Sequence, residues 1–159
     1  MGFTQDIEAL GAAALFCANK LSQLRPETFA AEERTFAPNE VVFHEGDRGD
    51  SAYIVLEGEA ELSIKDKAGP RVVARVGRHS ILGEDAILCD LPRTATARAA
   101  TNLTILTVPR DLFHAMVAES PELALGVMKL LARRLAETRH RLRELETRSA
   151  EQARPSAIG

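Results

Sequence analysis

A chain of 159 residues has room for one domain with a real core and for no second full one. With 45% hydrophobic and 27% charged residues the composition is that of an ordinary soluble globular protein, and a formal net charge of -3 supplies no global attraction for nucleic acid. Cys17 and Cys89 have no partner at metal spacing, the four histidines are dispersed, and neither a nucleophile–base pattern nor a Walker loop is present; metal, cofactor and enzyme readings are therefore set aside.

The first regime is helical. Ile7, Leu10, Ala14, Leu21 and Leu24 recur at helical spacing, which predicts one or two short helices within an N-terminal segment, residues 1–30. Thr4 is the expected N-cap and Pro26 the break. The nearly apolar run from Ala9 to Ala18 is about ten residues, short of the roughly 20 that cross a bilayer. Asp6 and Glu8 precede it where a signal peptide carries positive charge, so a cytoplasmic protein with two free thiols and no membrane partner is expected.

Between about Arg34 and Pro109 the period changes to two. Ala60, Leu62 and Ile64 alternate with polar residues, Val72, Ala74 and Val76 alternate with Arg71, Val73 and Arg75, and later Ala95, Ala97 and Ala99 alternate with Thr94, Thr96 and Arg98. Leu103 to Val108 is rich in strand formers, and turn settings such as GDRGD (46–50) and KAGP (67–70) punctuate the region. Short strands at this spacing predict an antiparallel sandwich, roll or barrel over residues 31–120.

After Pro109 the helical period returns. Asp111 to Glu119 predicts a short helix, and Ser120-Pro121-Glu122 supplies an N-cap, a first-turn proline and an acid for the helix that follows. That long helix is expected over 121–149, its first half packed on the β domain, with a disordered tail at 150–159. Met128, Leu131, Leu135, Thr138, Leu142 and Leu145 step by three and four, a short a/d seam suited to a homodimer contact. The arginines of residues 129–148 alternate with Glu137, Glu144 and Glu146, which reads as a solvated face rather than a nucleic-acid stripe.

One stretch carries chemistry: GEDAILCDLPRTATARA, residues 83–99. A helical turn at Glu84 to Cys89 would present backbone N–H groups to an anion, and Gly83 would let that backbone approach closely. Arg93 has the planar fork that suits a phosphate, and Thr94 adds a hydroxyl donor. Glu84, an acceptor when ionised, fits the hydroxyl of an attached ribose. Phosphate and sugar contacts together describe a nucleotide. Taken singly, each residue also has a plainer role: Glu84 and Asp85 complementing a helix N-terminus, Pro92 shaping a turn, Arg93 solvated.

In their joint order, residues 83–96 resemble the phosphate-binding cassette of cyclic-nucleotide-binding domains, the family of catabolite activator proteins, kinase regulatory regions and gated channels. VVFHEGDRGDSAYIVLEGEAELSI (41–64) resembles the family's early strands, and VPRDLF (108–113) its first C-terminal helix. The resemblance implies a mainly β fold, an antiparallel, jelly-roll-like β-roll with N-terminal helices and a long C-terminal helix. It implies cAMP or cGMP as ligand, with Glu84 on the ribose and Arg93 on the cyclic phosphate. Gly83, Ala86 and Thr94 line the same site, and Leu82 stands near base or sugar. Asp85 occupies a position where many members have an apolar residue that relays binding to the C-terminal helices, and Arg78-His79-Ser80 replaces a small or glycine-containing turn. No helix-turn-helix follows the long helix, so the expectation is a stand-alone sensor acting on an unidentified effector. Two alternatives stay open: a ligand-free module of this fold that dimerises or docks on a partner, and a transcription regulator without its own DNA reader.

Overall fold

The computed structural model describes residues 2–155, with side chains from residue 9 onward. It divides into two compact units, Met1–Ala124 and Leu125–Gly159.

The first unit opens with α1 (Gly2–Leu24), one continuous helix where one or two short ones were expected. Thr4 lies inside it, and its side chain is outside the described residues. The chain turns where expected: the Phe29 N–H reaches the Arg25 carbonyl at 2.9 Å across Pro26. Eight strands follow among the described residues, forming two antiparallel four-stranded sheets. One sheet orders β1 (Glu32–Phe36), β8 (Leu103–Pro109), β3 (Ser51–Glu57) and β6 (Ile81–Leu82). The other orders β2 (Val41–Phe43), β7 (Thr96–Ala99), β4 (Ala60–Asp66) and β5 (Gly69–Val76). This is the expected antiparallel β-roll with flanking helices.

Burial explains why β3 and β8 read as apolar runs rather than alternations. Tyr53, Val55, Leu103 and Ile105 point between the sheets, into a core with Phe36, Ala60, Leu82 and Ala99. Their neighbours Ala52, Ile54, Leu106 and Val108 lie on the opposite face and are buried too, because α1 and α3 (Arg110–Glu119) pack over that sheet. Leu112, Phe113 and Met116 of α3 supply the helical side of this second layer.

Two local patterns depart from strict alternation. Opposite Leu62 and Ser63 of β4 stand Ala74 and Val72 of β5, so the intervening Val73 is one residue extra. Such a bulge flips the strand's facing, and Val72, expected inside, is half exposed while Val73 is partly buried. In the 94–99 stretch, Ala97 and Ala99 are buried as expected, but Thr94 and Ala95 form a bend and the strand starts at Thr96.

The Arg78-His79-Ser80 turn adopts the left-handed backbone that glycine would have eased: His79 has φ 67°. It is fixed by its N–H on the Val55 carbonyl (2.8 Å) and by the Ser80 N–H on Gly77 (3.1 Å). Gly11 of α1 lies against this turn so closely that a Cβ there would sit 1.8 Å from the His79 carbonyl oxygen.

Helix α4 (Pro121–Ala153) begins in the first unit with the predicted cap, the Leu123 N–H donating to Ser120 Oγ at 3.2 Å. It continues through the second unit to Ala153, past the expected boundary at 149, so residues 150–153 are helical rather than irregular. Residues 156–159 of the expected tail lie outside the described residues. Of the seam, Met128, Leu135, Leu142 and Leu145 are more than half exposed. No helix among the described residues is long and apolar enough to cross a membrane.

Candidate functional site

Strand β6 pairs Leu82 with Tyr53 and Ile81 with Ile54, which sets the chain beside β3 just before it turns away at Gly83. Gly83 has φ 72°, a left-handed conformation that L side chains resist, and a Cβ there would lie 2.3 Å from the Arg93 guanidinium. The six-residue helix α2 (Glu84–Cys89) follows and ends at Asp90, also left-handed. The return segment is clamped to the GDRGD turn. Arg93 donates its N–H to the Asp47 carbonyl and accepts from the Gly46 N–H, both at 2.8 Å, next to a bridge between Arg48 and Pro92.

These contacts aim the Arg93 side chain inward, where it is 4% exposed. Its Nη1 donates to the Gly83 carbonyl (3.1 Å) and its Nη2 to the Ser51 carbonyl (2.8 Å). The guanidinium carbon stands 4.4 Å from the centre of the Phe43 ring and 5.4 Å from that of Tyr53, two rings that stack at 5.7 Å. All four of these partners are neutral: two carbonyl oxygens and two π faces.

Glu84 is 2% exposed, and Ala86 is fully buried beside it. Asp85 is partly buried and bridges the two limbs of the cassette. Its Oδ1 accepts from the Ala86 N–H (2.9 Å) and its Oδ2 from the Thr94 hydroxyl (2.5 Å). The structure thus brings Gly83, Glu84, Asp85, Ala86, Arg93 and Thr94 into one element. Leu82, expected near base or sugar, is part of the core between the sheets. A separate cavity of about 190 Å³, lined by Asn39, Glu59, Glu61, Arg75, Arg98 and Thr101 among others, contains none of these residues.

Sequence reasoning missed Phe43, Ser51, Tyr53 and Arg110. The first three sit in the quoted 41–64 stretch, but nothing in their spacing signals a shared arginine. Arg110, the first residue of α3, donates to the Ile87 carbonyl (3.4 Å), the Gly49 carbonyl (3.2 Å) and the Asp90 carboxylate. It therefore ties the start of α3 both to the end of α2 and to the GDRGD turn. Among the described residues no group of three or more His, Cys, Asp or Glu is placed to hold a metal ion.

Comparison with known proteins matches the same architecture. Residues 33–120 match the profile of the cyclic nucleotide-binding domain, more than half of the chain. The chain is 34% identical over 116 residues to a cAMP-dependent protein kinase regulatory subunit of Yarrowia lipolytica, covering 73% of this chain and 29% of that one. It is 31% identical over 128 residues to a lysophospholipase NTE1 of Chaetomium globosum, covering 76% of this chain and 8% of the relative. It thus spans less than a third of the length of either relative. The crystal structure of the Thermus thermophilus catabolite activator protein superposes with a TM-score of 0.68 at 29% identity, over 78% of this chain and 58% of that one. With the domain profile spanning both sheets and the cassette, the chain belongs to the cyclic nucleotide-binding domain family.

Proposed function

We propose that the protein is a cyclic-nucleotide sensor without catalytic activity, which binds cAMP, or cGMP, through Arg93 on the cyclic phosphate and Glu84 on the ribose hydroxyl. The observation that carries this reading is Arg93: a buried cation that donates to the Gly83 and Ser51 carbonyls and stacks on the Phe43 and Tyr53 rings, set within a backbone turn that meets the family pattern. Burying a charge is expensive, and an anion delivered to the cassette offsets part of that cost. The fixed fork is suited to two phosphate oxygens at once, and its contact with both ring faces limits the entropy lost on binding. Glu84 is an acceptor for a sugar hydroxyl. Binding is read out through the C-terminal helices, for which Arg110 supplies a physical link from the cassette to α3. The two unpaired thiols, Cys17 and Cys89, fit a reducing cytoplasmic setting.

Thermal melts of the wild type and Arg93→Ala with cAMP, cGMP and 5′-AMP test this. Ligand at about 100 times Kd adds roughly 2.7 kcal/mol, which raises Tm by about 5 to 10 °C in a domain of this size. Arg93→Ala is expected to weaken binding by about 30- to 1,000-fold, or roughly 2 to 4 kcal/mol. Equal affinity in mutant and wild type dismisses the assignment. Glu84→Ala also weakens cAMP binding but affects a 2′-deoxy ligand less, and the absence of that coupling refutes the ribose contact.

A second reading is a ligand-free module that dimerises or docks on an effector. The exposed Met128, Leu135, Leu142 and Leu145 favour it. No Tm rise with any nucleotide, together with a self-associating chain, decides for it.

A further inference from the structure

The Asp85 carboxylate holds two donors of the cassette at once. The Ala86 N–H is on one of its oxygens at 2.9 Å and the Thr94 hydroxyl on the other at 2.5 Å. These are donors from the two limbs of the cassette, the start of α2 and the bend before β7, and they are the groups that the cassette reading assigns to a phosphate. We propose that Asp85 is an internal competitor for the ligand: its carboxylate occupies part of the phosphate's donor set and lowers the affinity of the domain for cyclic nucleotides. The inference rests on the cassette reading of the preceding subsection.

The chemistry follows from the two anions. A carboxylate and a phosphate are both acceptors, and one N–H cannot serve both well. The ligand must therefore displace the Asp85 side chain, and a carboxylate that stays nearby repels it. Displacement is local. Asp85 is adjacent to Ala86, so side-chain rotation alone releases that N–H, with no backbone movement. Asp85 is only partly buried and Thr94 is exposed, so both groups exchange the lost bond for water. The opposite role, Asp85 holding Thr94 in place for the ligand, predicts the opposite sign on mutation.

Isothermal titration of cAMP into the full chain and its Asp85→Ala and Asp85→Asn variants tests the proposal. Asp85→Ala is expected to bind about tenfold tighter than wild type, the value of one charge-assisted hydrogen bond no longer contested. Asp85→Asn keeps the shape, loses the charge and is expected to fall between the two, which also covers the case of an alanine variant that fails to fold. Equal or weaker binding by the folded variants overturns the competitor role while the nucleotide reading stands. Absence of binding in all three proteins by cAMP and by cGMP, titrated in the same way, overturns the nucleotide reading and this proposal with it.

Discussion

At Arg93 a single side chain is fixed by four different segments: the GDRGD turn through its backbone, Gly83 and Ser51 through carbonyls, and Phe43 and Tyr53 through ring faces. Lysine, a point charge on a flexible stem, reproduces neither the fork nor the stacking. The two cysteines provide a contrast in environment. Cys17 is partly covered in α1, where burial and then the Glu119 carboxylate push its thiol above the usual range against a smaller pull from Lys20, and its S–H faces the Met116 carbonyl at 3.9 Å. Cys89 is exposed at the end of α2. Because the thiolate is the reacting species, iodoacetamide at pH 7.5 is expected to label Cys89 several-fold faster than Cys17, as read by peptide mass spectrometry. Equal rates show that the cover over Cys17 is open in solution. That Glu84 and Arg93 belong to one short stretch with Gly83 and Thr94 was legible in the residues and their order. The rings and carbonyl partners of Arg93 were not, because Phe43 lies on β2, Ser51 and Tyr53 on β3 and Gly83 just after β6, and only strand pairing brings them together.

Among the elements, α1 illustrates how close packing reverses a propensity argument. Gly11 sits within a 23-residue helix, where alanine gains about 1 kcal/mol by propensity alone. A methyl there meets backbone of the His79 turn, not a side chain that can swing away. Helix and turn must separate, and overpacking of this kind costs about 1 to 3 kcal/mol. Gly11→Ala is therefore expected to lower stability by up to about 2 kcal/mol in urea titration, after the propensity gain is subtracted. A more stable variant means that α1 shifts freely on the sheet. Period and capping residues identified the elements themselves: Ser120 caps α4, and α3 begins within a residue of the predicted start. The β5 bulge had no such signal, since Val72 and Val73 are both good strand residues and the pairing with β4 chooses between them.

At the scale of the molecule, the first unit closes two sheets on one core and covers the outer face of one sheet with helices. The second unit, Leu125–Gly159, is helix through Ala153 with its seam exposed. A chain truncated after Glu137 loses Leu142 and Leu145 and keeps the β-roll intact. Its dimer population in sedimentation velocity is expected to fall below that of the full chain, and an unchanged profile removes the seam as a self-association surface.

By itself the sequence determined an antiparallel β domain with flanking helices, because these depend on local period and turn residues; the choice of a β-roll among sandwich, roll and barrel came with the family resemblance of residues 41–64 and 83–96. Tertiary structure alone decided that Arg93 is buried against the stacked rings of Phe43 and Tyr53, that Asp85 closes on Ala86 and Thr94, and that Arg110 ties α3 to the cassette. Arg93 and Arg110 reach partners tens of residues away, and Asp85 spans two limbs separated by a helix. Such contacts are set by strand register and by the turns at Gly83 and Asp90, which no periodicity in the chain encodes.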